Sequence, residues 1–222
     1  MNSLKIINYS AFAICRFRDN MIYPSDTPQF SYTFKPGAYA LIGQIDNGGW
    51  AFAYSLAAKS KKDLVIEDSA TFAVNGQSAS LDQVRSLAHY VGHYKTREAR
   101  FRHLTAKSML EKAMRKGQPA FSMEQLKEML GITEERYRRP LPYTGNEAWR
   151  ITAAEGLALG KQIFCYPWMS NQYFKSYAYL SERLADICVQ NNCILLMPLE
   201  NEKAVKHFVN DVIDLSKPQI FK

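Results

Sequence analysis

The sequence predicts an α/β fold on three observations. Short, continuous apolar runs at Ile163–Tyr166 and Cys193–Met197 read as strands buried on both faces, the signature of a parallel sheet. Helical stretches alternate with them. A glycine-bearing loop, Gly43–Gly49, joins an apolar strand to an alanine-rich helix. The length of 222 residues suits one domain, large enough to bury a core without disulfides or a structural metal. With 47 % hydrophobic and 22 % charged residues, disorder and fibrous repeats are excluded.

In chain order, Leu4–Phe12 and Gln29–Phe34 read as strands, the second by the alternation Phe30, Tyr32, Phe34. Lys35-Pro36-Gly37 signals a turn, and Ala38–Ile42 a short apolar strand. Trp50–Lys59 has helical composition. Leu64–Glu67 and Thr71–Val74 are expected to form a strand pair, followed by the turn Asn75-Gly76, and Ala88–Val91 is a short strand. Residues 95–140 are helical and polar, with helices at Glu98–Arg115 and Ser122–Leu130. In the second, Ser122 and Gln125 form a capping box and Gly131 closes the helix. A loop at Pro142–Asn146 then leads into a helix to about Leu159, the strand Ile163–Tyr166, a helix over Tyr177–Gln190, the strand Cys193–Met197 and a C-terminal helix over Glu202–Leu215. The chain is thus one domain, 1–222, in three parts: β-rich 1–94, helical 95–140, and α/β 141–222.

The net charge of +7 is concentrated. Residues 95–139 hold twelve Lys and Arg against six Glu, a local excess of six. Such a segment suits an anionic partner, or simply forms a solvated helical face. Cys15, Cys165, Cys188 and Cys193 sit in apolar contexts that favour buried thiols, and no His/Cys set has metal-ligand spacing. The opening Met1-Asn2-Ser3-Leu4-Lys5 leads directly into a strand, so the expectation is a cytoplasmic chain without signal peptide or membrane span. No Gly-x-Ser-x-Gly pattern marks a nucleophilic serine.

The loop Gly43-Gln44-Ile45-Asp46-Asn47-Gly48-Gly49-Trp50 follows a strand, opens a helix and keeps the two outer glycines of a phosphate-binding loop; the same glycines would also serve a tight turn. Further on, Tyr143-Thr144-Gly145-Asn146-Glu147, with Arg150, leads into an alanine-rich helix, and the strand Ile163–Tyr166 follows. This succession resembles the nucleotide-binding domain of ATP-binding cassette (ABC) transporters. The resemblance implies a P-loop NTPase-like sheet core with an N-terminal antiparallel β subdomain and an inserted helical subdomain at 95–140. On it, His93 stands for the glutamine after the strand that ends at Val91. Tyr143–Glu147 and Arg150 stand for the signature, Ser170-Asn171 for the loop after the catalytic strand, and Pro198 and Leu199 for the switch region.

The departures from that family are chemical. The lysine and the magnesium-binding hydroxyl of the phosphate loop fall on Gly49 and Trp50, and Asp46 adds a negative charge inside the loop. The acidic pair of the catalytic strand falls on Pro167 and Trp168, or on Tyr166 and Pro167 with a gap of one. No acidic residue occurs from Lys161 to Ser181. No histidine stands at the switch, Thr144 replaces the signature serine, and Asn146 replaces its second glycine. The resemblance therefore implies a catalytically silent cassette subunit with weak or no ATP/Mg binding and no catalytic residue. It would pair as a homo- or heterodimer, with a competent ATPase, a transmembrane transport subunit or both as partners, at the inner face of the membrane. The alternative is a standalone binding or regulatory protein that uses 95–140 to hold an anionic partner such as nucleic acid. The aromatic run Tyr166, Trp168, Tyr173, Phe174, Tyr177, Tyr179 reads as either core or contact surface.

Overall fold

The computed structural model describes residues 1–16, 22–46, 49–57, 64–66, 69–92, 104–117 and 119–215. Two sheets organise them. The first is antiparallel: β1 (Leu4–Arg16) pairs with β2 (Ile22–Phe34) from Leu4↔Phe34 to Arg16↔Ile22, so both strands are longer than expected. A register shift between Ile6 and Tyr9 accompanies Asn8 at φ 52°, a conformation asparagine tolerates. β3 (Gly37–Ile42) leaves this sheet for the second one, and α1 (Gly49–Ala57) follows it.

β4 (Leu64–Ile66) and β5 (Thr71–Val74) both pair with β1, at Ala11–Ala13 and Leu4–Ile7. They are successive neighbours along one strand, not the mutual pair expected from the sequence. β5 instead forms a hairpin with β6 (Gln77–Ala79) through Asn75 and Gly76, whose φ values of 53° and 80° suit the two-residue turn. α2 (Leu81–Leu87) starts at a Ser80–Gln83 capping box and runs directly into β7 (Ala88–Tyr90).

The helical part comprises α3 (Ala106–Lys116), α4 (Met123–Leu130) and α5 (Glu134–Arg138). Ser122, Gln125 and Gly131 cap α4 as expected, Gly131 in the left-handed conformation. A 3₁₀ turn, Leu141–Tyr143, precedes α6 (Glu147–Ala158). Then come β8 (Ile163–Cys165), α7 (Asn171–Phe174), α8 (Ala178–Gln190), β9 (Ile194–Leu199) and β10 (Asp211–Asp214).

The expected C-terminal helix Glu202–Leu215 is not formed: turns occupy 203–208 and the chain ends in β10. Asn210 explains the difference. Its N–H donates to the carbonyl of Ala38 at 2.7 Å and its side-chain oxygen accepts from the N–H of Ala38 at 2.7 Å. This two-bond clasp lays the following residues beside β3, where the β-branched pair Val212–Ile213 suits an extended strand.

The second sheet is parallel throughout, in the order β10-β3-β9-β8-β7. Its two faces follow the alternation of strands. Tyr39, Leu41, Ile163, Cys165, Ile194 and Leu196 pack against α1 and the antiparallel sheet. Ala38, Ala40, Phe164, Leu195 and Met197 pack in the other direction, against the cluster that holds α3, α4, α6 and α8. The helical part shares that core and does not stand apart.

Candidate functional site

In an open parallel sheet, ligands bind outside the carboxyl ends of the strands, where the order of connections reverses. Here that place lies at β3 and β9: the chain goes from β3 to the far edge at β7, returns through β8 and β9, and crosses β3 to reach β10. The loops after β3, β7, β8 and β9 all emerge at this edge.

The loop after β3 is buried at Gly43, whose N–H donates to Leu199 O at 3.1 Å. Gln44 and Asp46 are exposed, and Asp46 O accepts from the N–H of Asp26 at 2.8 Å. Asn47 and Gly48 lie outside the described residues, as does His93. Gly49 starts α1 so close to β3 that a Cβ there would sit 2.5 Å from Leu41 Cβ. Residue 49 is thus sterically closed to any side chain.

Trp50 follows and is only 4 % exposed. Its indole stacks on Tyr54 with centroids 4.9 Å apart, and its Nε1–H donates to the Tyr90 hydroxyl at 3.1 Å. Tyr90 in turn meets Tyr54 edge-on at 5.7 Å. Trp168, from the loop after β8, packs against the same cluster and donates its Nε1–H to Gly43 O at 2.9 Å. Four aromatic rings, from α1, β7 and the loop after β8, therefore occupy the carboxyl edge.

Of the residues aligned with the catalytic acids, Tyr166 points away from the edge, buried in the helix-side core against Trp149 at 5.2 Å. Burial raises its hydroxyl pKa well above the ordinary tyrosine value. Pro167 is half-buried between Tyr166 and Trp168. Pro198 and Leu199 are core residues of β9 in register with Leu41 and Ile42, and they tie in the loop after β8 through Met169 N–H···O Pro198 at 3.1 Å. Glu200, which sequence reasoning passed over, follows β9 directly. Its carboxylate accepts from the N–H of Asn171 at 2.9 Å, so it braces the loop after β8. The signal was available: it is the first acidic residue after an apolar strand that ends at this edge.

The residues aligned with the signature form a second group, around the start of α6. Tyr143 is 71 % exposed, and its carbonyl accepts from Arg136 Nη1 at 2.9 Å. Thr144 is buried, its hydroxyl donating to Leu141 O at 2.8 Å. Gly145 adopts φ 59° in open space, and Asn146 is exposed without capping α6 through its side chain. Glu147 accepts from Thr133 Oγ1 at 3.3 Å and puts a negative charge in the first turn. Arg150 does not reach the carboxyl edge: its Nη1 donates to Gly131 O at 2.8 Å, completing the end of α4.

The basic segment divides in two. Lys127, Arg138 and Arg139 pair with Glu134 or Glu135, whereas Lys112, Arg115 and Lys116 at the end of α3 are exposed and take no ion pair among the described residues. Also among the described residues, no group of three or more His, Cys, Asp or Glu could hold a metal ion, and no helix is long and apolar enough to cross a membrane.

No protein-family model matches the sequence, and no curated protein matches it. Solved structures do. The cbiO1 protein of Clostridium perfringens, described as part of the ABC transporter complex cbiONQ, superposes with a TM-score of 0.62 at 10 % identity, over 98 % of this chain and 86 % of that one. A Pyrococcus furiosus protein described as an ABC transporter ATP-binding protein superposes with a TM-score of 0.64 at 9 % identity, over 99 % of this chain and 100 % of that one. The chain therefore has the α/β fold of these ABC transporter proteins.

Proposed function

We propose that this chain is a catalytically silent ABC-type subunit, one that keeps the cassette architecture and has given up the chemistry. The observation that carries the reading is Trp50: buried at the start of α1 and hydrogen-bonded to Tyr90, it fills the place where a phosphate-binding helix would present a hydroxyl to magnesium. An indole offers a hard cation no oxygen ligand. Gly49 has no room for a lysine, and Tyr166, Pro167 and Trp168 offer no carboxylate for metal or attacking water. The residues present do not fit a magnesium nucleotide. Losing even one preorganised donor costs roughly 2.7–4 kcal/mol of transition-state stabilisation; here several are replaced together.

What remains is a scaffold suited to partners. In this reading it pairs with an ATPase-competent subunit, docks on a transmembrane transport subunit, and works at the cytoplasmic face of the membrane. The likeness to a component of an ABC transporter complex supports such partnership. The reading in which residues 95–140 hold nucleic acid has thinner support, because Glu134 and Glu135 already engage Lys127, Arg138 and Arg139.

Calorimetric titration with Mg-ATP tests the silent site, and affinity purification from the native cell tests the partnership. Heat of binding indistinguishable from dilution, together with recovery of a second ATPase or a multi-spanning membrane protein, is expected. A tight, magnesium-dependent isotherm would overturn the first claim. Recovery of neither partner would overturn the second.

A further inference from the structure

The end of α4 is closed by two arginines from different helices. Arg150 of α6 donates through Nη1 to Gly131 O at 2.8 Å. Arg183 of α8 donates through Nε to Met129 O and through Nη2 to Glu128 O at 3.2 Å. Both then converge on one exposed ring. Arg150 lies over the Tyr179 ring, 5.9 Å from its centroid, and Arg183 Nη1 donates to the Tyr179 hydroxyl at 3.2 Å. Tyr179 itself is 60 % exposed.

The two guanidiniums outweigh the helix end they cap. A helix C-terminus is equivalent to about half a negative charge, and it faces two full positive ones. No carboxylate pairs with either guanidinium among the described residues. The nearby acids are committed or point to solvent: Glu147 accepts from Thr133, Glu182 pairs with His207 at 2.7 Å, and Glu128 and Asp186 are exposed. Each guanidinium retains N–H donors beyond those bound to carbonyls. Because the carbonyls fix both forks, little ordering remains to be done on binding.

We propose that Arg150, Tyr179 and Arg183 form an oxyanion site that receives an Asp or Glu carboxylate from a partner protein. The planar forks suit a carboxylate, and the Tyr179 hydroxyl supplies a further donor at the rim. The surroundings select a peptide over an anionic membrane. Glu124, Glu128 and Asp186 are exposed on the same helices, α4 and α8, and would be pressed against a flat anionic sheet, whereas a single side chain entering at Tyr179 avoids them. The inference concerns partner recognition and is independent of whether the nucleotide edge is silent.

The test uses the intact protein at low ionic strength, with a tetraglutamate peptide as probe and arginine Nε–H resonances as readout. Arg150 and Arg183 are expected to shift together and saturably, while Arg115 at the end of α3 does not. Arg183→Gln should weaken the peptide by about tenfold, the scale of losing one charge-assisted fork. Since Arg183 also caps α4, Tyr179→Phe is the second variant: it leaves both caps in place and should weaken binding severalfold with unchanged thermal stability. Lys112→Gln/Lys116→Gln should bind the peptide as the parent does. Equal shifts at all surface arginines, or affinity unchanged in both Arg183→Gln and Tyr179→Phe, would overturn the site. So would Arg183-dependent binding to phosphatidylglycerol vesicles with none to the peptide.

Discussion

The indole N–H of Trp50 donates to the hydroxyl of Tyr90 at 3.1 Å, joining the first turn of α1, which follows β3, to the end of β7. In the strand order β10-β3-β9-β8-β7, that bond reaches over both β9 and β8. The bond from Trp168 to Gly43 O at 2.9 Å spans the same edge over β9 alone. A crevice that this class of sheet uses for ligands is therefore bridged twice by the protein's own side chains. The bridging groups are indoles, which bring large apolar area and one directed donor each.

Trp50→Ala should be strongly destabilising. It removes a buried ring stacked on Tyr54 and leaves Tyr90 without its indole donor, a change of the size of other buried aromatic truncations, about 3–5 kcal/mol. Urea unfolding followed by far-UV circular dichroism measures it. Trp50→Phe keeps most of the packing and should recover more than half of the loss. If the alanine variant unfolds like the parent, the ring is ornamental and the edge is open.

Gly49→Lys, the substitution that would rebuild a phosphate-loop lysine, should not restore nucleotide binding. Any Cβ at residue 49 meets Leu41 Cβ at 2.5 Å, so α1 must move off β3 before the new side chain can reach anything. Gly49→Ala alone should cost about 1–3 kcal/mol by overpacking. Calorimetric titration of Gly49→Lys with Mg-ATP should stay flat. A lysine variant that is as stable as the parent and binds nucleotide would mean that α1 is not held where it lies.

Much of this architecture was legible in local chemistry. Ser122, Gln125 and Gly131 delimit α4 because capping depends on residues three positions apart and on one left-handed glycine, all visible in sequence. The continuous apolar runs at Ile163 and Ile194 identified parallel strands for the same local reason. What stayed hidden depends on long-range partners. Asn210 is an unremarkable polar residue until Ala38 lies beside it, 172 positions away in the chain. Arg150, aligned with a signature arginine, serves the end of α4 because Gly131 lies there. Tyr54 and Tyr90 gave no signal of joining Trp50, since their meeting is set by the order of strands and not by spacing. Which of the basic residues are already engaged was equally hidden, because ion pairs such as Lys127–Glu134 form between helices whose mutual placement a sequence does not state.

Asn210→Leu tests the clasp that replaces the expected C-terminal helix. The variant keeps the branched shape of the side chain and leaves the N–H of Ala38 without its acceptor beside a buried strand, a cost of about 1–3 kcal/mol. The new branch would also press on Gly37, where even a Cβ would already sit 2.0 Å from Asn210 Oδ1. Amide hydrogen exchange should show lost protection at Val212 and Ile213 before any change in β9. Uniform loss across the sheet would instead place β10 within the cooperative core.

Alkaline pH should unfold the protein through its buried hydroxyls and thiols. Burial is the largest influence on Tyr9, Tyr166 and Cys165, and it raises each above its ordinary value, near 10 for tyrosine and 9 for cysteine. A raised folded-state pKa means that the unfolded chain releases its proton first. The stabilising contribution is complete below about pH 9 and falls progressively above it, as the unfolded state ionises while the folded state does not. Each such group adds a slope of about 1.4 kcal/mol per pH unit once its unfolded form is ionised. Tyr166→Phe keeps the ring against Trp149 and removes one titrating hydroxyl, so urea midpoints taken from pH 8 to 11 should fall less steeply for the variant above pH 10. Parallel curves over that range would mean that Tyr166 ionises as readily in the folded protein as in the unfolded chain, and that the core beneath α6 admits water.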